Sequence, residues 1–159
     1  LSMRTSIIFV SSRSLLSRLI QWITGGKATH ALVGGFNVAD VDLVIQSTGS
    51  GVNFLPREKA LQGCEVVGEF VVEVPTAVMN RVVNDLGSPY DYTGLVGFLW
   101  VELGKAFKQR WHNPLGTSQS FLCVELVCAL NLPQLQGVDP LATSPQELCD
   151  LCSKTMKRL

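Results

Sequence analysis

Residues 29–47, THALVGGFNVADVDLVIQS, contain two apolar runs separated by a short connection, and this stretch decides the fold class. Ala31–Phe36 and Val41–Ser47 are rich in Val, Ile, Leu and Phe, which favour β-strands. The connection Asn37–Asp40 contains Asn and Asp, two residues that favour turns. The stretch therefore predicts an antiparallel β-hairpin.

Further strands are predicted on both sides of this hairpin. Thr5–Val10 is a compact apolar run near the start of the chain, and Val66–Val74 is a longer one that stops at Pro75. Val52–Leu55 follows a glycine-containing turn and continues the β region. The first half of the chain is therefore expected to form a sheet.

Apolar spacing and end signals predict helices, mostly in the second half of the chain. We expect Thr76 to cap one helix and Gly87 to end it, and Ser144 to cap the last helix, with Pro145 at its first position. The predicted helices cover residues 14–23, 76–86, 92–107, which Gly94 and Gly97 could interrupt, 121–132, and a last one from 145 onward.

Strands followed by helices indicate an α+β fold. The length of 159 residues fits a single domain over residues 1–159, in which residues 1–2 precede a natural start at Met3. With 47% hydrophobic and 16% charged residues, the chain can build a sizeable core. No internal repeat is visible.

Charge and apolar runs bear on partners and location. The formal net charge is zero, which argues against a protein whose main role is to bind nucleic acid or an anionic membrane. No apolar run reaches the roughly 18 residues of a membrane span, and Ile7–Val10 is too short for a signal-peptide core. Five cysteines, an odd number, favour a free thiol and a cytoplasmic or otherwise reducing compartment.

Cys123 and His30 are the candidate catalytic pair. A thiol at a helix start has a lowered pKa, and a neighbouring imidazole can hold its proton. Ser118 or Ser120 could cap the helix that carries Cys123. Two alternative interpretations are equally compatible with the sequence. Cys123 could be a small buried apolar residue, and His30 could be a hydrogen-bonded structural residue. His112 stands in a polar loop, where a solvated role is expected.

A catalytic histidine needs a partner that fixes its orientation. A hairpin turning around Val38 places Gln46 opposite His30, and a slip of one residue places Ser47 there instead. We favour Gln46, because its amide oxygen can accept a hydrogen bond from an imidazole N–H. Asp42 lies at the wrong end of the hairpin. Gln46 as a plain polar residue at a strand end is the alternative.

The two cysteines of Cys149-Asp150-Leu151-Cys152 have the spacing of a CxxC motif. No second pair of soft metal ligands accompanies them. A spacing of three residues also places both cysteines on the same face of a helix, where they could simply be buried. We therefore predict no metal site and no cofactor. Cys64 and Cys128 are expected in the core or in loops.

Four segments occur in an order that resembles a known family. They are Thr29-His30-Ala31-Leu32-Val33-Gly34, Val44-Ile45-Gln46-Ser47-Thr48-Gly49-Ser50-Gly51-Val52, Pro89-Tyr90-Asp91-Tyr92 and Phe121-Leu122-Cys123-Val124-Glu125-Leu126-Val127. The chain resembles the circularly permuted papain-like proteins of the NlpC superfamily, in particular the YiiX-like group, over roughly residues 5–150.

The resemblance implies roles for individual residues. Cys123 matches the nucleophile and His30 the general base. Gln46 stands where the family often has an acidic third residue, which is a departure, although a neutral amide can still orient an imidazole. Tyr90 and Tyr92 match a segment that lines the cleft and are the candidate substrate-binding residues. The implied fold is an antiparallel sheet packed on the helix that carries the cysteine.

Three functions follow from the resemblance. The first is a cysteine peptidase or amidase that cleaves an amide bond, in a peptide or a peptidoglycan stem peptide, through an acyl-enzyme. The second is an acyl-lipid hydrolase or acyltransferase similar to the lecithin–retinol acyltransferase-like proteins. The third is a binding or assembly module without catalysis. A polar open cleft would favour peptides, whereas an apolar tunnel would favour acyl chains.

Overall fold

The computed structural model describes residues 1–112, 114–115 and 122–159. These residues form an α+β structure with one six-stranded antiparallel sheet and six α-helices, which confirms the predicted class. The strands are β1 (Ser2–Ser12), β2 (His30–Val38), β3 (Val41–Thr48), β4 (Gly51–Pro56), β5 (Cys64–Pro75) and β6 (Lys157–Arg158). The helices are α1 (Leu15–Thr24), α2 (Arg57–Ala60), α3 (Thr76–Asn84), α4 (Tyr92–Ala106), α5 (Cys123–Cys128) and α6 (Pro145–Thr155).

The strand order is β4-β3-β2-β1-β5-β6. The predicted hairpin is formed by β2 and β3, but its turn has two residues rather than four, because Ala39 and Asp40 both adopt positive φ angles of 51° and 62°. Two left-handed residues match the twist of the flanking strands, so the strands can pair up to Val38 and Val41.

A β-bulge near Gly35 changes the register of this hairpin. Phe36 pairs with Leu43 on one side of the bulge, and Leu32 pairs with Gln46 on the other. Gly35 has a φ of 94°, and a side chain there would come within 2.9 Å of the backbone of Thr5 in β1. Close approach of the neighbouring strand thus requires glycine at this position.

The predicted register, with Gln46 opposite His30, is therefore wrong. Gln46 lies opposite Leu32, two residues further along β2. Because side chains alternate between faces with a period of two, a shift of two residues leaves Gln46 on the same face as His30. Ser47 points to the other face.

The two faces of the sheet carry different cores. The larger core packs the sheet against α3, α5 and α6, and it includes Ile7, Phe9, Ala31, Val33, Ile45, Phe70, Leu126, Leu130 and Leu148, all fully buried. The smaller core on the opposite face includes Ile8, Val10, Leu32 and Val44. The sheet is thus packed on the helix that begins with Cys123, as expected.

Several helix ends agree with the sequence signals. Ser14 caps α1, and Gly25 ends it with a left-handed φ of 65°. Ser144 caps α6 by accepting from the Glu147 N–H at 3.1 Å, while the Glu147 carboxylate accepts from the Ser144 N–H at 2.7 Å. This reciprocal pair satisfies two N–H groups that a helix start otherwise leaves unpaired.

Three other helices differ from the prediction. Thr76 is the first residue of α3 rather than its cap, and its hydroxyl donates to the Leu1 carbonyl at 3.2 Å. Helix α4 runs through both glycines without a break, and Asp91 caps its start by accepting from the Gly94 N–H. Helix α5 stops at Cys128, since Asn131 adopts a left-handed φ of 51°.

The longest helix of the described residues has 15 residues. Among the described residues, no helix is both long and apolar enough to cross a membrane.

Candidate active site

Cys123 is held at the start of α5 by local and tertiary contacts. The Glu125 carboxylate accepts a hydrogen bond of 2.6 Å from the Leu122 N–H, just before the helix. Leu126 and Val127 are fully buried and fix the helix against the sheet. Ser118 and Ser120, the predicted caps, lie outside the described residues, so the capping interaction that the structure describes is that of Glu125.

A cavity of about 420 Å³ lies beside Cys123. It is lined by every residue that the sequence proposed for the site, namely Cys123, His30, Gln46, Tyr90 and Tyr92. These residues come from two strands, two helices and one loop, so the fold brings together parts of the chain that are far apart in the sequence.

The thiol of Cys123 lies against β2. Its sulfur interacts with the backbone N–H of Ala31, the residue that directly follows His30, and with that of Val124. These N–H groups favour the thiolate, but burial outweighs them and raises the pKa of Cys123 to about 11. The lowered pKa expected from a helix start is thus not found, because the thiol is desolvated and α5 is only six residues long.

His30 begins β2 on the face that also carries Val10, Leu32 and Gln46. Burial lowers the pKa of His30 to about 4, and an interaction with the Gln46 side chain opposes this shift. Nε2 of His30 is buried and has no partner within hydrogen-bond geometry among the described residues. Gln46 is therefore a close neighbour of the imidazole.

The resting pair is neutral at pH 7, because the pKa of the thiol lies above this pH and the pKa of the imidazole below it. Among the described residues, no hydrogen bond to His30 holds the thiol in place. A thiolate and an imidazolium are therefore not preformed at this pH, and a reaction at Cys123 would have to remove the thiol proton as the sulfur attacks.

Tyr90 and Tyr92 form one wall of the cavity. Their rings make an edge-to-face contact with centroids 5.0 Å apart, and the Tyr92 hydroxyl donates to the Gly49 carbonyl at 2.9 Å. Burial, with a smaller effect of the neighbouring Cys123, raises the pKa of Tyr90. Tyr90 thus stays protonated and can donate a hydrogen bond beside the thiol.

A cluster of hydroxyl groups lines the cavity and was not predicted. It consists of Ser12, Ser14, Ser17 and Thr29, and all four line the cavity. The Ser14 hydroxyl donates to Ser17 at 3.0 Å, and the Thr29 hydroxyl donates to Ser17 at 3.1 Å. The serine-rich segment before α1 could have indicated a group of hydroxyls from the sequence, but only the fold brings Thr29 next to it.

The remainder of the cavity wall is mostly apolar. Leu16 and Ile20 of α1 contribute to it, as do Leu95 and Phe98 of α4. The site thus combines a thiol, an imidazole and several hydroxyls with a wall suited to an apolar group.

All five cysteines are unpaired. Cys149 and Cys152 are buried on one face of α6, and Cys64 reaches the cavity from β5. Within residues 1–112, 114–115 and 122–159, no three His, Cys, Asp or Glu side chains are grouped so that they could hold a metal ion.

Comparison with models of known protein families gives no match to this chain, and comparison with curated proteins gives none either.

Replacing His30 with Asn should weaken the dependence of stability on pH. The unfolded histidine binds a proton near pH 6.5, but the folded one only near pH 4. Stability contributed by the neutral imidazole is therefore complete above pH 6.5 and is lost as the pH falls toward 4. We expect the parent to lose about 2 kcal/mol more than His30→Asn over this interval.

Urea unfolding of both proteins at pH 7 and pH 4.5 measures this difference. The pKa of Glu125 is raised to about 7 by burial, which gives a contribution of opposite sign in the same range. Glu125 is present in both proteins, so their difference isolates His30. Equal losses in the two proteins would show that His30 is solvated in the folded chain.

Proposed function

We propose that the protein is a thiol hydrolase that cleaves an amide bond through an acyl-enzyme on Cys123, with His30 as the proton carrier. One observation carries the proposal: Cys123 and His30 line the same cavity, and the thiol contacts the backbone of the residue next to His30. The resemblance to permuted papain-like enzymes of the NlpC superfamily supports the same assignment, and the α+β architecture is compatible with that fold.

In the first step the sulfur of Cys123 attacks the carbonyl carbon of the substrate and forms a C–S bond. The thiol proton passes to the unprotonated nitrogen of His30, which then becomes an imidazolium. Collapse of the tetrahedral intermediate breaks the C–N bond, and His30 gives its proton to the departing amine. The products of this step are the free amine and an acyl-Cys123 thioester.

In the second step water attacks the thioester. His30 takes a proton from this water, the C–S bond breaks, and the carboxylic acid leaves while the proton returns to the sulfur. Both steps need a base that is unprotonated before it accepts the proton, and therefore one with a pKa below the working pH. The lowered pKa of His30 meets this condition at pH 7.

The developing oxyanion needs hydrogen-bond donors. The backbone N–H of Cys123 stands at the start of α5, where N–H groups have no partner within the helix. The neutral phenol of Tyr90, which lies near the thiol, is a second donor in this proposal. Gln46 acts as a positioning residue, because its amide oxygen can accept from Nε2–H of His30 and leave Nδ1 free to accept the thiol proton.

The cavity wall bears on the substrate. Leu16, Ile20, Leu95 and Phe98 favour an apolar group next to the scissile bond, and the hydroxyl cluster offers polar contacts beside it. An amide substrate with an apolar side chain or acyl group fits this combination. The same apolar wall favours the second candidate function, hydrolysis or transfer of a lipid acyl group, which uses the same attack by Cys123.

Trapping the acyl-enzyme tests the proposal. The protein is incubated with peptides, peptidoglycan fragments and acyl lipids, quenched with acid, and analysed by intact mass and peptide mapping. We expect an acyl adduct on Cys123, and the class of compound that produces it decides between an amide and a lipid acyl substrate. Cys64→Ala is the matched control, because Cys64 also lines the cavity and its loss should leave the adduct unchanged.

Two results would contradict the proposal. One is an adduct on Cys64 in place of Cys123. The other is tight binding of a compound without any adduct or turnover, which would identify a binding or assembly module.

A further inference from the structure

Helix α4 exposes an apolar stripe along its whole length. The stripe consists of Tyr92, Val96, Trp100, Leu103 and Phe107, whose spacings of four, four, three and four residues place them on one helix face. Each of these side chains is between 44% and 65% exposed. Single exposed apolar residues are common on protein surfaces, but a continuous row of five marks a contact surface.

Helix α1 carries a second exposed apolar row and packs against α4. Leu15, Leu19 and Trp22 follow the spacing of one helix face, and Leu15 and Trp22 are 84% and 82% exposed. We refer to these three residues and the five of the α4 stripe as the two-helix surface. It contains two tryptophans, a residue type that prefers the boundary between water and an apolar phase.

Basic residues accompany the two-helix surface. Residues 13–27 contain three basic and no acidic residues, and residues 92–112 contain three basic residues and one acidic residue, Glu102. Glu102 is buried and pairs with Lys105 at 2.6 Å. Arg13, Arg18, Lys108 and Arg110 are exposed, and none of them forms an ion pair with another described residue.

We propose that the two-helix surface docks on an anionic lipid surface. Apolar rows with tryptophans would enter the headgroup boundary, and the flanking arginines and lysine would contact anionic headgroups. The zero net charge of the chain argued against such a partner. Charges are screened over about 8 Å at physiological salt, however. The local excess of positive charge near α1 and α4 therefore decides the interaction, rather than the net charge of the whole chain.

A second copy of the chain is a poorer occupant of this surface. A symmetric dimer would bring the same patch of each copy face to face. The exposed cations around the patch would then approach their own counterparts without acidic partners, which opposes association. An anionic surface satisfies both the apolar rows and the cations.

The position of the cavity agrees with docking at a lipid surface. Leu16 and Ile20 of α1 and Leu95 and Phe98 of α4 line it, so the two helices that would contact the lipid also form the cavity wall. An apolar substrate could then pass between them. Only this last point rests on the proposed function, because docking itself does not require Cys123.

Vesicle binding tests the proposal. The full chain carrying Cys123→Ala, which removes any turnover, is sedimented with phosphatidylcholine vesicles with and without phosphatidylglycerol. We expect binding to the vesicles that contain phosphatidylglycerol, a blue shift of the tryptophan fluorescence, and release at high salt. Because the variant lacks the nucleophile, failure to bind would reject docking without bearing on the thiol chemistry, and binding would stand even if no substrate is found.

Variants locate the surface. Trp22→Asp should abolish the fluorescence shift and weaken binding more than tenfold, and Arg13→Gln with Arg18→Gln should weaken it by about fivefold for each charge removed. Val38→Asp is the matched control, since Val38 is 61% exposed at the β2–β3 turn, away from α1 and α4. Circular dichroism melting verifies that each variant is folded.

Three results would overturn the proposal. They are absence of binding to either vesicle, equal losses in Trp22→Asp and Val38→Asp, and a dimer of the parent chain that Trp22→Asp converts to a monomer while vesicles are not bound. The last result would assign the surface to a second copy of the chain.

Discussion

Cys123→Ala and His30→Ala should each lower turnover by at least about a thousandfold, the scale seen when a nucleophile or its base is removed. Cys123→Ala removes the atom that forms the bond to the substrate. His30→Ala leaves a buried thiol with a pKa of about 11 and without a proton acceptor. Initial rates with the substrate identified by acyl trapping provide the measurement.

The double variant makes this test specific to a catalytic unit. Residues that act in one step lose their contributions together, so the double variant should be little slower than either single one. Two residues that affect the rate independently would instead show losses that add in free energy. Additive losses, or a rate of His30→Ala near that of the parent, would contradict the pairing of Cys123 with His30.

Matched controls separate this effect from general damage. Cys64→Ala removes another thiol of the cavity, and His112→Ala removes the other histidine. Both should retain near-parental rates. Unfolding curves of Cys123→Ala should resemble those of the parent, because Ala keeps the apolar packing of a small buried side chain.

The sheet and the α+β class could be predicted from the sequence because their signals are local. Apolar runs such as Val66–Val74 and turn residues between them appear in the sequence, and the fold contains the corresponding strands. The Ser144 cap could be predicted for the same reason, since a Ser followed three residues later by Glu satisfies the helix start by itself. Signals of this kind need no knowledge of distant contacts.

The hairpin register could not be predicted from β2 and β3 alone. The bulge at Gly35 depends on the approach of Thr5 in β1, which lies 30 residues earlier in the chain. The prediction that the pKa of Cys123 is lowered was wrong for a similar reason. A helix start is a local feature that lowers a thiol pKa, whereas burial is a tertiary feature that raises it, and here burial is the larger effect.

The composition of the cavity wall could not be predicted from the sequence either, because it depends on contacts between distant parts of the chain. The hydroxyl cluster joins α1 and its preceding loop to Thr29, and α1 and α4, which carry the exposed apolar rows, pack against each other although they lie far apart in the sequence. Composition could not reveal the charge of the two-helix surface either, because acidic residues elsewhere in the chain balance the total.

Gln46→Glu should raise the reactivity of Cys123 at neutral pH, and this is the second large effect that we expect. Gln46 is 9% exposed and neighbours the imidazole of His30 on the same face of the sheet. A carboxylate at this position would stabilise the imidazolium, since an opposite charge within a few ångström favours the charged form. The pKa of His30 should rise by about two pH units, and that of Cys123 should fall.

The pH dependence of iodoacetamide alkylation at Cys123 measures this change. In the parent the rate should keep increasing up to pH values near the thiol pKa of about 11. In Gln46→Glu the alkylation rate at neutral pH should be higher than in the parent, because a higher His30 pKa increases the small population of the thiolate–imidazolium pair, and turnover should be retained or increased. An unchanged alkylation profile would show that residue 46 does not act on His30.

Gln46→Ala and Ser47→Ala test which residue orients His30, because the two side chains leave the strand on opposite faces. Loss of an orienting hydrogen bond, worth about 1 kcal/mol, should slow Gln46→Ala roughly fivefold, far less than loss of His30. Ser47→Ala should leave the pH profile of the rate unchanged, since its side chain does not share the face of His30. If Gln46→Ala keeps the parental rate while Ser47→Ala shifts that profile, Gln46 is not the positioning residue and the third member of the site is Ser47.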